Sequence, residues 1–100
     1  MPNKALYLAS PYGFSKQWRL KLLPEFIIKL ESMGASVLEP FERNSNIDSS
    51  SPGWANKVGT ANLNDLRKAD GLFAIVNGVP PDEGVMIELG FAIALGKKVL

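Results

Sequence analysis

The sequence lacks both cysteine and histidine over its 100 residues. Without cysteine, the chain has no disulfide, no thiolate metal site and no cysteine nucleophile. Without histidine, it has no imidazole ligand for a metal and no histidine base to activate a serine. Any chemistry must therefore be carried by carboxylate, tyrosine, lysine or arginine side chains.

Excess charge of one sign and long apolar runs are also missing. The 11 Lys and Arg nearly balance the 10 Asp and Glu, which gives a net charge of +1. This balance offers no electrostatic basis for binding nucleic acid or an anionic membrane. No apolar run approaches the ~18 residues of a spanning helix, and residues 5–9 are too few for a signal-peptide core. We expect a globular cytoplasmic domain.

Short apolar runs alternate with helical patterns along the chain. Four runs are predicted to be strands: residues 4–9, 35–38, 72–76 and 98–100. Three segments are predicted to be helices: residues 16–33, 54–68 and 84–95. Pro24 should kink or break the first helix, and Ser51 should cap the second after a polar loop at residues 41–53. Trp54 is interpreted as a packing residue.

This alternation is typical of parallel strands joined by crossover helices. It predicts one domain over residues 1–100 with a doubly wound α/β fold, flavodoxin- or Rossmann-like. Because the fourth strand begins where the sequence stops, we expect the domain to be truncated at its C-terminal end. Ligands of such sheets bind beyond the carboxyl ends of the strands. The loop after the first strand, ASPYGFS, has neither GxGxxG nor a P-loop, so those two phosphate sites are excluded.

The third predicted helix carries Glu88 as the single charge of an otherwise apolar segment, VMIELGFAIAL. Such a helix is expected to be buried on most sides, where an unpaired carboxylate is costly. One interpretation places Glu88 at an exposed edge or beside an arginine. The other places it in a pocket, near the helix N-terminus, as a nucleophile. Gly84, one turn earlier, leaves space on the same face.

Two further residues are candidates for the surroundings of Glu88. Asp82 would point about 240° away on one continuous helix, so we expect it in the preceding loop. There it is either an N-cap or a second carboxylate at the pocket mouth. Tyr7 lies in the first strand, and its hydroxyl needs a partner that Glu88 could supply.

These residues resemble the nucleoside 2-deoxyribosyltransferase family. The resemblance rests on the strand with Tyr7, the ASPYGF loop and the pattern D-x5-E-[LI]-G-[FY]-A at residues 82–92. It covers the whole chain, which corresponds to the N-terminal two-thirds of a typical member. Members exchange the base of a 2′-deoxynucleoside in nucleoside salvage. They proceed through a covalent deoxyribosyl-enzyme intermediate with overall retention.

The resemblance implies a role for each of five residues. Glu88 would be the nucleophile and Tyr7 would orient it. Asp82, Phe14 and Gly84 would bind substrate, with Phe14 stacking on the base.

One catalytic position departs from the family pattern. Twenty residues before Asp82, members usually carry an aspartate that assists the leaving base, and here Asn62 stands in its place. Asparagine can form a hydrogen bond but cannot supply a proton. We therefore assign Asn62 to the catalytic group with weakened proton delivery. Asp65 lies one helical turn further and could reach the same place.

The resemblance also implies that no metal or cofactor is needed. The partners would be a 2′-deoxynucleoside, a free nucleobase and further copies of the chain, in a homo-oligomer with shared active sites. Neither nucleic acid nor membrane is expected. Two alternatives stay open: an N-glycosidase of deoxynucleoside 5′-monophosphates, which needs a phosphate pocket, and a non-catalytic nucleotide-binding α/β module, for which Glu88 would be dispensable.

Overall fold

The computed structural model describes residues 4–11, 18–45, 47, 50–76 and 82–100. Within them the chain forms strands and α-helices in the order β1, α1, β2, α2, α3, β3, α4 and β4. Their bounds are Lys4–Ala9, Leu23–Ser32, Ala35–Leu38, Pro40–Arg43, Trp54–Lys68, Gly71–Ala74, Glu83–Ala94 and Lys98–Val99. A π-helical turn, Trp18–Leu22, directly precedes α1.

The strands form one parallel sheet in the order β2-β1-β3-β4. Tyr7 of β1 pairs with Leu38 of β2 on one side and with Leu72 of β3 on the other. Strand β2 is added on one side of β1 and β3 on the other, so the strand order reverses between β1 and β3, the place where doubly wound sheets open a crevice. The predicted doubly wound α/β fold is confirmed.

Alternating side chains of β1 supply both layers of the core. Successive strand residues point to opposite faces of a sheet. Tyr7 and Ala9 therefore join a cluster with α3 and α4, in which Leu66 and Val85 are fully buried. Leu8 points to the other face, where α1 covers it with buried leucines. Helices consequently pack on both faces, and α3 and α4 share the face of Tyr7.

The helix predicted over residues 16–33 is divided near Pro24, in agreement with the predicted kink or break. The α-helix begins at Leu23, so Pro24 lies in its first turn. Proline is tolerated there because the N–H groups of a first turn have no helical acceptor. The residues before it form a separate π-helical turn.

The polar loop predicted at residues 41–53 contains a helix, α2, at its start. Buried Glu39 caps this helix by accepting hydrogen bonds from the backbone N–H groups of Phe41 and Glu42, both at 2.8 Å. The predicted cap of α3 by the Ser51 side chain is wrong. Gly53 occupies the N-cap position with φ 73°, a left-handed conformation that glycine adopts without a steric penalty.

The outer face of α4 is not buried as the sequence suggests. Ile87 is 66% exposed and Ile93 is 62% exposed. Only Val85 and Ala92 of this helix are fully buried against the sheet. Among the described residues, no second layer covers the outer face.

We predict that Gly71→Ala destabilises the fold by roughly 1–3 kcal/mol, the range for overpacking a tight site. A Cβ atom at Gly71 would lie 2.9 Å from the Lys98 carbonyl oxygen and 3.2 Å from Leu6 Cδ2. Urea unfolding monitored by circular dichroism measures the change. Gly59→Ala is the matched control, because a Cβ there meets nothing within 4 Å on α3. It should stabilise by about 0.5–1 kcal/mol. If Gly71→Ala left the free energy of unfolding unchanged, this close approach of β3 and β4 would be contradicted.

Candidate active site

A hydrogen bond between Tyr7 and Glu88 lies at the centre of the site. Tyr7 is fully buried in the central strand β1, and its hydroxyl donates to Glu88 Oε2 on α4. The bond connects residues 81 positions apart in sequence. The structure therefore brings together the two residues that the sequence analysis paired. It excludes the interpretation in which Glu88 pairs with an arginine, among the described residues.

The surroundings of Glu88 make its ionisation costly. Burial raises the pKa of Glu88 to about 7, and the negative charges of Asp82 and Glu39 act in the same direction. The hydrogen bond from Tyr7 opposes them, because donation to a carboxylate stabilises its charged form. Burial and the neighbouring Glu88 raise the pKa of the Tyr7 hydroxyl far above its usual range. Tyr7 consequently remains a protonated donor.

Asp82 serves as both N-cap and pocket wall, so the two interpretations of this residue are compatible. Its Oδ2 accepts a 3.0 Å hydrogen bond from the backbone N–H of Val85 at the start of α4. A Cβ at Gly84 would lie 3.2 Å from the same Oδ2. Glycine at this position therefore leaves room for the Asp82 carboxylate and for the cavity in front of Glu88.

A cavity of about 490 Å³ opens in front of Glu88 at the carboxyl edge of the sheet. We call it the Glu88 cavity. Its polar lining includes Ser10, Arg19, Asn44, Asn62, Asp82 and Glu88. Its apolar lining includes Pro40, Phe41, Ile47, Trp54, Val58 and Val85. One side is thus suited to a polar group near a carboxylate, and the other to a flat apolar ring.

Asn62 lines this cavity from α3 and is tied to α2. Its Oδ1 accepts a 2.7 Å hydrogen bond from Asn44 Nδ2. Asp65, one turn later, is buried, and both of its carboxylate oxygens accept hydrogen bonds from the Arg43 guanidinium. Asp65 is therefore engaged with Arg43 and does not line the cavity.

The structure adds residues to the site that the sequence analysis missed. Trp54 was expected to be a packing residue, yet it is 43% exposed and lines the cavity. Its place at the first position of α3, after a long polar loop, is a signal that could have indicated this role. Asn44 and Arg19 had no distinguishing pattern in the sequence. Phe14 lies outside the described residues.

Neither a cluster of metal ligands nor a membrane-spanning helix is found in the part of the chain that the structure describes. No three His, Cys, Asp or Glu side chains there are grouped so as to hold a metal ion. No helix there has both the length and the apolar character needed to cross a bilayer.

A sequence profile described as nucleoside 2-deoxyribosyltransferase matches residues 6–100 of the chain. The chain belongs to the nucleoside 2-deoxyribosyltransferase family. This confirms the family resemblance, whose pattern at residues 82–92 includes both Asp82 and Glu88. No curated protein matches the chain significantly.

Solved structures of two 2-deoxyribosyltransferases and of one N-glycosidase share this fold. A 2-deoxyribosyltransferase from the bacterium Bacillus psychrosaccharolyticus is 31% identical with a TM-score of 0.81, over 95% of this chain and 69% of that one. A 2-deoxyribosyltransferase from Leishmania mexicana is 26% identical with a TM-score of 0.79, over 97% and 62%. A CMP N-glycosidase from Clostridium botulinum is 28% identical with a TM-score of 0.62, over 96% and 66%. The chain thus spans about two-thirds of the length of these structures.

We predict that Tyr7→Phe raises the pKa of Glu88 above about 7. The substitution removes the hydrogen bond that stabilises the charged carboxylate but keeps the ring that packs in the core. Carbon-13 NMR of labelled glutamate side chains follows this titration directly, and Glu88→Gln assigns the resonance. An unchanged or lowered pKa of Glu88 in Tyr7→Phe would contradict the assigned role of the hydroxyl.

Proposed function

We propose that this protein transfers 2-deoxyribose from one nucleobase to another, with Glu88 as the nucleophile. The observation that carries the proposal is the Glu88 carboxylate, which lines a cavity and is held by the buried Tyr7 hydroxyl. Family membership and the two deoxyribosyltransferase structures support this type of reaction. The roles of the individual residues are inferred from geometry and chemistry.

The first step forms a glycosyl ester on Glu88. The Tyr7 hydroxyl donates a hydrogen bond to Oε2 of Glu88, while no described residue donates a hydrogen bond to Oε1. Oε1 therefore attacks C1′ of the deoxyribose, and the C1′–N bond to the base breaks. The bonding electron pair leaves with the base nitrogen. A carboxylate adjacent to C1′ stabilises the oxocarbenium character of the transition state.

The cavity offers separate places for sugar and base. Asp82 Oδ2 is engaged with the helix backbone, and the other carboxylate oxygen faces no described donor. We assign that oxygen to a hydroxyl of the deoxyribose. The base lies between the apolar wall with Phe41 and Trp54 and the amide of Asn62. Phe14 would add a stacking surface.

The second step returns the carboxylate to its starting state. A ring nitrogen of the incoming base attacks C1′ from the side that the first base left, and the bond from C1′ to Glu88 Oε1 breaks. The incoming base gives its N–H proton to solvent, which has protonated the departed base, so the exchange is proton-neutral. Two inversions at C1′ give overall retention. Neither step consumes a metal or a cofactor. Water in place of the acceptor base would give hydrolysis instead.

We predict that Glu88→Gln lowers base exchange by more than about 1000-fold, as expected for loss of a nucleophile. The variant should remain folded, because burial penalises the charged carboxylate that it replaces. Chromatography of a deoxynucleoside incubated with a different free base measures exchange, and circular dichroism checks the fold. Glu83→Gln is the matched control on the exposed first turn of the same helix. Equal exchange by the two variants would remove Glu88 from the mechanism, as a non-catalytic module requires.

An N-glycosidase of deoxynucleoside 5′-monophosphates is the alternative that a specific observation favours. Arg19 lines the Glu88 cavity and provides a cation that could bind a phosphate group. One similar structure is a CMP N-glycosidase. Transfer remains preferred because the matching family profile and two of the similar solved structures are 2-deoxyribosyltransferases.

We predict that Arg19→Met leaves turnover of a deoxynucleoside within about twofold of the unsubstituted chain, since a nucleoside carries no phosphate for a guanidinium to bind. Lys21→Met in the same π-helical turn is the control, since Lys21 does not line the cavity. Chromatographic assays with a deoxynucleoside and its 5′-monophosphate separate the two functions. A monophosphate preference that Arg19→Met abolishes would favour the N-glycosidase.

We also propose that the protein is a cytoplasmic homo-oligomer that shares its active sites. Two large apolar side chains of α4, Ile87 and Ile93, are exposed and support association between copies. The same helix carries Glu88, so a neighbouring copy that packs against α4 would lie close to the cavity.

A further inference from the structure

Asn62 has no partner for one half of its amide group. Its Oδ1 accepts from Asn44, whereas its Nδ2 donates to no described residue. Every buried side-chain nitrogen or oxygen in the described part of the chain has a hydrogen-bond partner. The Nδ2 group of Asn62 is therefore accessible, and the residue lines the Glu88 cavity.

The orientation of the Asn62 amide is set by a chain of two hydrogen bonds. Asn44 Nδ2 donates to the Pro40 carbonyl oxygen at 2.9 Å and to Asn62 Oδ1 at 2.7 Å. A backbone carbonyl can only accept, so Asn44 must present its NH₂ group on this side. Asn62 must then accept this hydrogen bond through its Oδ1 oxygen. Its own NH₂ group is left for the cavity.

The segment that carries Asn44 is itself fixed. Asn44 follows α2, which Glu39 caps through two backbone N–H groups. Arg43, the preceding residue, pairs with buried Asp65 one turn beyond Asn62 on α3. Two adjacent connections thus join the end of α2 to α3, and they leave Asn44 little freedom to rotate away.

We infer that Asn44 is a positioning residue that holds the Asn62 amide as a hydrogen-bond donor toward the leaving base, an inference that rests on the proposed function. The base must then present an acceptor, a ring nitrogen or a carbonyl oxygen, to this wall of the cavity. As the C1′–N bond breaks, negative charge spreads onto such acceptors. The hydrogen bond from Asn62 consequently strengthens in the transition state.

Three variants separate this role from simple bracing of α2 against α3. Asn62→Ala removes the donor, and Asn44→Leu releases its orientation. Asn44→Asp replaces the donor with an acceptor, so that Asn62 turns its NH₂ toward residue 44 and its oxygen toward the base. Asn56→Leu is the matched control, because it removes the hydrogen bond to Thr60 on the exposed part of α3.

The readout is the single-turnover rate of base release from a deoxynucleoside, together with its dissociation constant. Asn62→Ala should lower the rate by about 3- to 10-fold, the scale of one neutral hydrogen bond. Asn44→Leu should lower the rate by no more than this factor. Asn44→Asp should lower it by at least this factor. The dissociation constant should change less than about twofold in each, because the bond strengthens only as the base departs. Asn56→Leu should match the unsubstituted chain.

The double variant Asn44→Leu with Asn62→Ala is decisive. If Asn44 acts through Asn62, the double variant should release base as fast as Asn62→Ala alone. Additive losses, or an Asn44→Asp rate equal to that of the unsubstituted chain, would overturn the positioning role while leaving transfer in place. Absence of base release by the unsubstituted chain would instead overturn the proposed function, and the inference with it.

Discussion

The hydrogen bond from Tyr7 to Glu88 is the interaction on which the site depends. A carboxylate within an apolar helix is costly to ionise, and burial alone would hold it in the neutral form. The buried hydroxyl of the central strand supplies a fixed donor that partly offsets this cost. The result is a pKa of about 7, at which a large share of Glu88 is charged near neutral pH. A partly desolvated, ionisable carboxylate is what nucleophilic attack on a sugar carbon requires.

The parallel sheet explains why these groups meet. The carboxyl ends of β1 and β2 lie side by side, so Ser10 and three residues that follow β2 line the same cavity: Pro40, Phe41 and Asn44. Helices α3 and α4 pack on the Tyr7 face and bring Asn62 and Glu88 to that edge. The site is thus assembled from five separate segments, the fifth being the π-helical turn that carries Arg19.

The sequence was sufficient for the fold and for the Tyr7–Glu88 pair because strong local patterns and one electrostatic anomaly coincide there. Four apolar runs fixed the strands, and a single charge in VMIELGFAIAL marked Glu88. The site residues that the sequence analysis missed owe their roles to tertiary contacts, which leave no local pattern in the sequence. The partner of Asn62 lies 18 residues away, directly after helix α2, and nothing near Asn44 distinguishes it from a loop asparagine. Helix α2 was missed because its cap, Glu39, reads as the end of a strand.

The most direct test of Glu88 as nucleophile is to find the deoxyribosyl group on it. The protein is mixed with a deoxynucleoside in the absence of an acceptor base, quenched in acid and digested, and its peptides are sequenced by mass spectrometry. A mass increase of one deoxyribosyl group on Glu88, which disappears when an acceptor base is added before the quench, is the expected result. Base exchange at full rate with the modification on another residue, or with none at any time after mixing, would contradict the covalent role of Glu88.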